Sequence, residues 1–400
     1  MPIDLIAIRR CDVLTRHQTL RQAEIWIQGE KIIGIYPFGQ VTQPLGAKIV
    51  DAKGLLVSPG WIDLQVNGGF GHDFTQDPAS LWDVAAELPR FGTTAFLMTI
   101  VSAPLSTYQR ALEVWRQGPP DGWKGAEPVG LHLEGPFINP AKKGAHNPAH
   151  LRQPELQPIE RWSIENGVRL VTLAPELVGA DVLVRELRRR GIVVSAGHSQ
   201  ATYEQAQAAF EAGLNAGTHL FNAMPAMEHR APGLAGALLA NPQVVVGLIA
   251  DNIHVHPAML KLAWQSKGSR GLVLVTDAMA ALGEPPGTYQ LGDLEVTVNS
   301  NTARLSDGTL AGSLLTQDVA LRNMIEASGA QMADIIPSLS TTPAALLNLQ
   351  QKGVVRPGAD ADLTLVTPQG EVVVTIVRGQ IVHNTEPERL KLEPDRRLEL

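Results

Sequence analysis

Between about residue 58 and residue 351 the chain alternates short runs rich in Val, Ile and Leu with stretches of helical periodicity, and it does so eight times. The strand cores fall near Ile62–Val66, Thr93–Thr99, Val129–Glu134, Leu170–Ala174, Val193–Gly197, Ala216–Leu220, Val244–Ala250 and Leu272–Val275. Runs that are apolar throughout belong to strands covered on both faces, and strands separated by helices pair in parallel. Eight such units close into a (β/α)8 TIM barrel of the α/β class. One connection shows the local logic. Thr202-Tyr-Glu-Gln205 has the form of a capping box, Ala206, Ala209 and Phe210 make a helical stripe, and Gly213 suits the stop. An open doubly wound sheet would need a Gly-rich phosphate loop after its first strand, and Asn67-Gly-Gly-Phe-Gly71 imitates one poorly.

The two ends of the chain differ from the middle and resemble each other. Residues 1–57 contain alternating stretches such as Glu24-Ile-Trp-Ile-Gln-Gly-Glu-Lys-Ile-Ile-Gly-Ile35, suited to antiparallel strands with a turn near Gly29. Residues 352–386 repeat the pattern, notably over 362–382. Neither end has strands enough for a robust sheet alone, so a small β-sandwich formed by both chain ends is expected beside the barrel of residues 58–351. Residues 387–400 read as a charged tail or frayed helix.

Four of the predicted strands end on residues suited to metal or proton chemistry: Glu134, His198, His219 and Asp277. In a parallel barrel the C-terminal strand ends open on one face, so residues far apart in sequence converge there. A carboxylate and two imidazoles leave a fourth coordination position open, which is the pattern of a catalytic zinc, and a free carboxylate nearby supplies a proton acceptor. A metal-dependent hydrolase follows. With 33 basic and 40 acidic residues the net charge is −7, against a broad nucleic-acid surface. The single Cys11 excludes an intramolecular disulfide and a multi-cysteine metal cluster, and it reads as a small apolar residue of an N-terminal strand. Arg9 and Arg10 follow a short apolar run, the reverse of a secretory signal, and no apolar segment approaches a membrane span. A cytoplasmic location is expected.

Six segments together resemble the N-acetylglucosamine-6-phosphate deacetylase family of the amidohydrolase superfamily: Pro59-Gly-Trp-Ile-Asp63, His132-Leu-Glu-Gly-Pro136, Lys143-Gly-Ala-His-Asn-Pro148, Ala196-Gly-His-Ser199, Thr218-His-Leu-Phe-Asn-Ala-Met-Pro225 and Thr276-Asp-Ala278. The resemblance implies a homodimer that hydrolyses the N-acetyl group of N-acetylglucosamine 6-phosphate. Many amidohydrolases carry His-x-His on the first strand, where this chain has Gln65-Val66-Asn67. A neutral amide is a poor zinc ligand, and a branch of the family with this Gln-x-Asn form works with a single metal. Gln65 and Asn67 therefore mark a vacated second-metal position, and one divalent ion per subunit, zinc, is expected on Glu134, His198 and His219. Asp277 takes the general base and acid role.

The resemblance also implies the substrate contacts. His146, with Ala145 beside it, lies in a Gly/Pro-rich loop where no folding need explains it, and His254 after Asp251 is assigned to substrate. Asn222 and Ala223, which follow His219, and Arg230 are assigned to the phosphate, with Arg230 reaching across the dimer interface. Family members usually carry an acidic residue where this chain has Ala231. Leu310, Ala311 and Gly312 complete the sugar pocket. His132 and His256 are read as structural, and Asp63 is left outside the site. Two other readings stay open: an amidohydrolase for a different small amide, and a non-catalytic sensor of amino-sugar phosphates. Against the first stand the missing first-strand histidines; against the second stands Asp277, since binding alone needs no proton shuttle.

Overall fold

The computed structural model describes residues 5–15, 18–41 and 46–392. At its centre are eight parallel strands in chain order: Trp61–Val66, Thr93–Ile100, Glu127–Glu134, Val168–Leu173, Val193–Ala196, Ala216–Gly217, Val245–Leu248 and Leu272–Leu274. Every residue of the first two is buried, as a sheet with helices outside and a filled interior requires. Each lies where the apolar runs predicted it. The sixth strand is shorter than expected, ending at Gly217 instead of Leu220. The cause is local: His219 takes φ 29°, and His198 and Asp277 take 49° and 53°. The left-handed region costs a non-glycine residue about 1–3 kcal/mol. The strands end at Ala196, Gly217 and Leu274, and His198, His219 and Asp277 follow two or three residues later in this turned backbone.

The first and eighth strands share no continuous ladder. They meet through an isolated bridge between Val66 and Ala278 and through the Asp277 N–H, which donates to Gln65 O at 2.9 Å. The buried carboxylate of Asp63 completes the seam. It accepts from Thr276 Oγ1 at 2.6 Å and from the N–H groups of Gln65 and Thr276 at 3.1 and 3.3 Å. Burial pushes this carboxyl up to about 6 against those hydrogen bonds. Outside the barrel, helix Tyr203–Ala212 begins with the expected reciprocal capping box of Thr202 and Gln205, and it ends on Gly213 at φ 113°.

Both chain ends enter one nine-stranded sheet. Leu363–Val366 pairs antiparallel with Leu56–Pro59, joining the two termini. The sheet encloses a core of its own, including Ile8, Ile25, Ile27, Val57, Leu365 and Val374, which fits a small β-sandwich. Cys11 is buried on its first strand. Leu390–Leu392, from the segment read as a tail, pairs with Lys48–Asp51, and residues 393–400 lie outside the described residues. The buried Lys352 ties sandwich to barrel, with Nζ 2.6 Å from Glu127, 2.7 Å from Asp362 and 3.2 Å from Asp360.

After the eighth strand comes an element with no forecast: a three-stranded antiparallel sheet of Gly287–Leu291, Leu294–Val298 and Ala303–Arg304. It packs on Val101, Ala145 and Met279 through Leu291, Val296 and Val298, and so stands beside the barrel mouth.

Candidate active site

Glu134, His198 and His219 converge as expected. Glu134 Oε1 lies 3.1 Å from His198 Nε2 and 3.0 Å from His219 Nε2, and the two Nε2 atoms are 3.0 Å apart. All three residues are buried. His198 Nδ1 sits 2.9 Å from Lys142 O, and a carbonyl can only accept, so Nδ1 carries the proton and Nε2 keeps its lone pair for a ligand. Two imidazole nitrogens and a carboxylate oxygen facing one another repel unless a cation sits among them. A tetrahedral zinc with bonds of about 2.0–2.1 Å would set its ligand atoms about 3.3 Å apart, close to the spacing present, and the donor set matches.

Gln65 and Asn67 both turn their side-chain amides to Asp277. Gln65 Nε2 donates to Asp277 Oδ1 at 2.9 Å and to Glu134 Oε1 at 3.1 Å; Asn67 Nδ2 donates to the same Asp277 oxygen at 2.7 Å. Among the described residues no hydrogen bond engages Asp277 Oδ2. The two amides therefore hold one carboxylate oxygen and leave the other without a hydrogen-bond partner among the described residues. Burial, then the nearby charge of Glu134, pushes the Asp277 carboxyl up to about 6.

A cavity of about 610 Å³ opens over these groups. Of the expected substrate contacts, Ala145, His146, Asn222, Ala223 and His254 line it, as do Leu310 and Gly312. Ala311 is fully buried and packs with Met279 and Leu291 behind the wall. Asp251 stands behind His254, accepting from its Nδ1 at 2.6 Å and from its N–H at 2.7 Å. That bond turns Nε2 into the free ring nitrogen. Arg230 is exposed and does not line the cavity of its own chain. Of the histidines read as structural, His132 lies 2.8 Å from Thr172 Oγ1, and His256 Nδ1 caps a helix by accepting from Ala258 N–H at 3.1 Å.

Sequence reasoning missed four residues. Lys142, Lys143 and Arg304 also line the cavity, and Ser102 bonds the buried face of His146. The two lysines stand immediately before the Gly-Ala-His loop and were open to notice as cations near an expected anion. Arg304 and Ser102 offered no signal, because each gains its place only through tertiary packing.

An eight-stranded parallel barrel with a carboxylate–imidazole cluster and a separate carboxylate at its C-terminal mouth defines a metal-dependent hydrolase scaffold. The amidohydrolase family model matches residues 56–382, and the chain belongs to that family. It is 36% identical over 383 residues to the N-acetylglucosamine-6-phosphate deacetylase of Bacillus subtilis, covering 94% of this chain and 96% of the relative. It is 37% identical over 403 residues to the enzyme of that name from Homo sapiens, covering 96% and 97%. The crystal structure of N-acetylglucosamine-6-phosphate deacetylase from Thermotoga maritima superposes with a TM-score of 0.85 at 31% identity, covering 95% of this chain and 100% of that one.

Proposed function

We propose that this protein hydrolyses the N-acetyl group of N-acetylglucosamine 6-phosphate, giving glucosamine 6-phosphate and acetate. The observation that carries the reading is the placement of Asp277, with an unengaged oxygen, in the same cavity as the Glu134–His198–His219 cluster. The activity named for the relatives above agrees with it. A divalent ion held by those three residues, zinc by its donor set, would supply Lewis acidity, lowering the pKa of water to about 7 and polarising the acetyl carbonyl.

The chain's own groups do the rest. Asp277 Oδ2 takes the proton of the attacking water and returns it to the departing nitrogen, which could not otherwise leave as an amide anion. His146 meets the acetyl oxygen, and His254, aligned by Asp251, holds a sugar hydroxyl. The main-chain groups of Asn222 and Ala223 meet the phosphate, joined by Arg230 from the neighbouring subunit of a homodimer. Guanidinium suits that role because its planar fork matches phosphate oxygens. The proposed setting is the cytoplasm; among the described residues no helix is long and apolar enough to cross a membrane.

A substrate panel tests this. Acetate release should be at least tenfold faster in kcat/KM with the 6-phosphate than with unphosphorylated N-acetylglucosamine, since each hydrogen bond to a charged group is worth about 1.5–3 kcal/mol. Equal rates on the two sugars, or turnover only of unrelated amides, would reject the proposal. Ligand binding without turnover in the metal-loaded protein would favour the sensor.

A further inference from the structure

His146 is buried in the cavity wall, and its two ring nitrogens face different surroundings. Nδ1 looks at Ser102, whose main-chain N–H lies 3.2 Å away and whose hydroxyl lies 2.9 Å away. A main-chain N–H donates and has nothing to accept with, so Nδ1 is the acceptor. A neutral imidazole carries one proton. It therefore sits on Nε2. That atom is 3.9 Å from Glu134 Oε2, too far for a hydrogen bond, so its N–H stays available to the cavity.

The surroundings are built to keep Ser102 there. Val101 N–H donates to Thr75 Oγ1 at 3.1 Å and Ala103 N–H donates to Tyr108 OH at 3.2 Å, so the main chain is pinned on both sides. Ser102 itself is buried. Opposite its hydroxyl is Gly135, next to Glu134, where a Cβ would come within 2.2 Å of Ser102 Oγ. Only glycine leaves room for the pair. The ring of His146 also packs edge-on against His198, with centroids 4.5 Å apart at 68°, which fixes its plane.

We infer that Ser102 is a positioning residue: by donating to Nδ1 it locks His146 in the Nε2–H tautomer and makes it a fixed hydrogen-bond donor to the acetyl oxygen as negative charge develops there. Such a pre-aimed donor needs no reorganisation during the reaction. Proton transfer stays with Asp277. The inference rests on the deacetylase reading only for what Nε2–H meets; the tautomer itself is readable without turnover.

The experiment begins with long-range proton–nitrogen spectra of ¹⁵N-labelled, metal-loaded protein, with the His146 signals assigned by their loss in His146→Gln. Nδ1 should appear at the unprotonated position and Nε2 at the protonated one. Ser102→Asp sets a charged acceptor against Nδ1, stronger than the remaining 3.2 Å main-chain N–H; it should swap the two signals and lower kcat about 100-fold, the usual cost of one oxyanion donor, with metal content unchanged. His146→Gln places an amide N–H near the Nε2 position and should keep more of kcat than His146→Asn, whose amide falls near Nδ1. These two variants and the unmodified spectrum decide the matter if Ser102→Asp does not fold. A protonated Nδ1 in the unmodified protein overturns the inference, and so does full turnover in Ser102→Asp with the signals swapped. An unprotonated Nδ1 in a protein that releases no acetate would sink the functional reading and leave the tautomer standing.

Discussion

Replacing Asp277 by Asn changes one functional group in the cavity, and the neighbouring amides dictate which way the new side chain turns. Oδ1 accepts from Gln65 Nε2 at 2.9 Å and from Asn67 Nδ2 at 2.7 Å. An asparagine must set its carbonyl oxygen against those two donors, because its NH₂ would meet them head-on. The NH₂ then takes the position of Oδ2 and offers the cavity protons where a lone pair was needed. A general acid–base group contributes about 10²–10⁴-fold. We therefore predict that kcat falls by about 10²-fold or more, about 2.7 kcal/mol of barrier at 1.36 kcal/mol per decade. Substrate affinity should persist. Metal should persist as well, because Asp277 lies outside the Glu134–His198–His219 triangle. The assay is acetate release at several substrate concentrations, with metal content measured on the same sample. Near-normal kcat would place the base elsewhere; loss of the metal together with activity would show Asp277 to be part of the holding set.

Arg230→Ala and Asp277→Asn chains, each nearly inactive alone, should regain about a quarter of wild-type sites when unfolded, mixed equally and refolded, since about half the dimers are mixed and each has one intact site. No recovery, with mixed dimers shown to form, would remove Arg230 from the partner's pocket. Lys352→Ala strands the buried Asp362 and should cost about 3–5 kcal/mol, roughly 4–6 °C in Tm for a chain of this size; an unchanged melting point would contradict a structural role for the cluster. Asp73, which accepts from Gln76 N–H at 2.8 Å and Gly292 N–H at 3.2 Å, is pushed up by burial to about 6 from 3.8. A carboxyl raised in the folded state binds its proton more tightly there, so its stabilising contribution is complete below pH 3.8 and is lost as pH rises through 6. Stability relative to Asp73→Asn should accordingly decline across that window in denaturant titrations, and a rise would refute the assignment.

The barrel was legible because its strands are short continuous apolar runs, a pattern that survives without knowledge of any partner. The residues around the metal position were legible for a related reason: each stands at or just past the end of such a run, where topology alone brings distant positions together. Strand lengths were less so, since the ladders stop short of the left-handed turns at His198, His219 and Asp277, which leave no mark in composition. The sheet of Gly287–Leu291, Leu294–Val298 and Ala303–Arg304 escaped because much of it is exposed, with only part of each strand buried. Gln65 and Asn67 show the limit most clearly. Their residue types speak against a second metal, but that both amides grip one oxygen of Asp277 emerges only from the fold. Asp63 carries no site signal in the sequence, yet its carboxylate joins the first and last strands one residue before Asp277.

The central claim is a single metal position, on Glu134, His198 and His219, that operates with Asp277 on an N-acetyl sugar phosphate. Its most direct test is to strip the protein of metal and add zinc back in steps, following bound ion and acetate release from N-acetylglucosamine 6-phosphate on the same samples. The account predicts that activity rises in proportion to bound zinc and saturates at one ion per chain, with His198→Ala and His219→Ala failing to retain it. Activity that requires a second tightly retained ion, or that survives complete removal of metal, would contradict it.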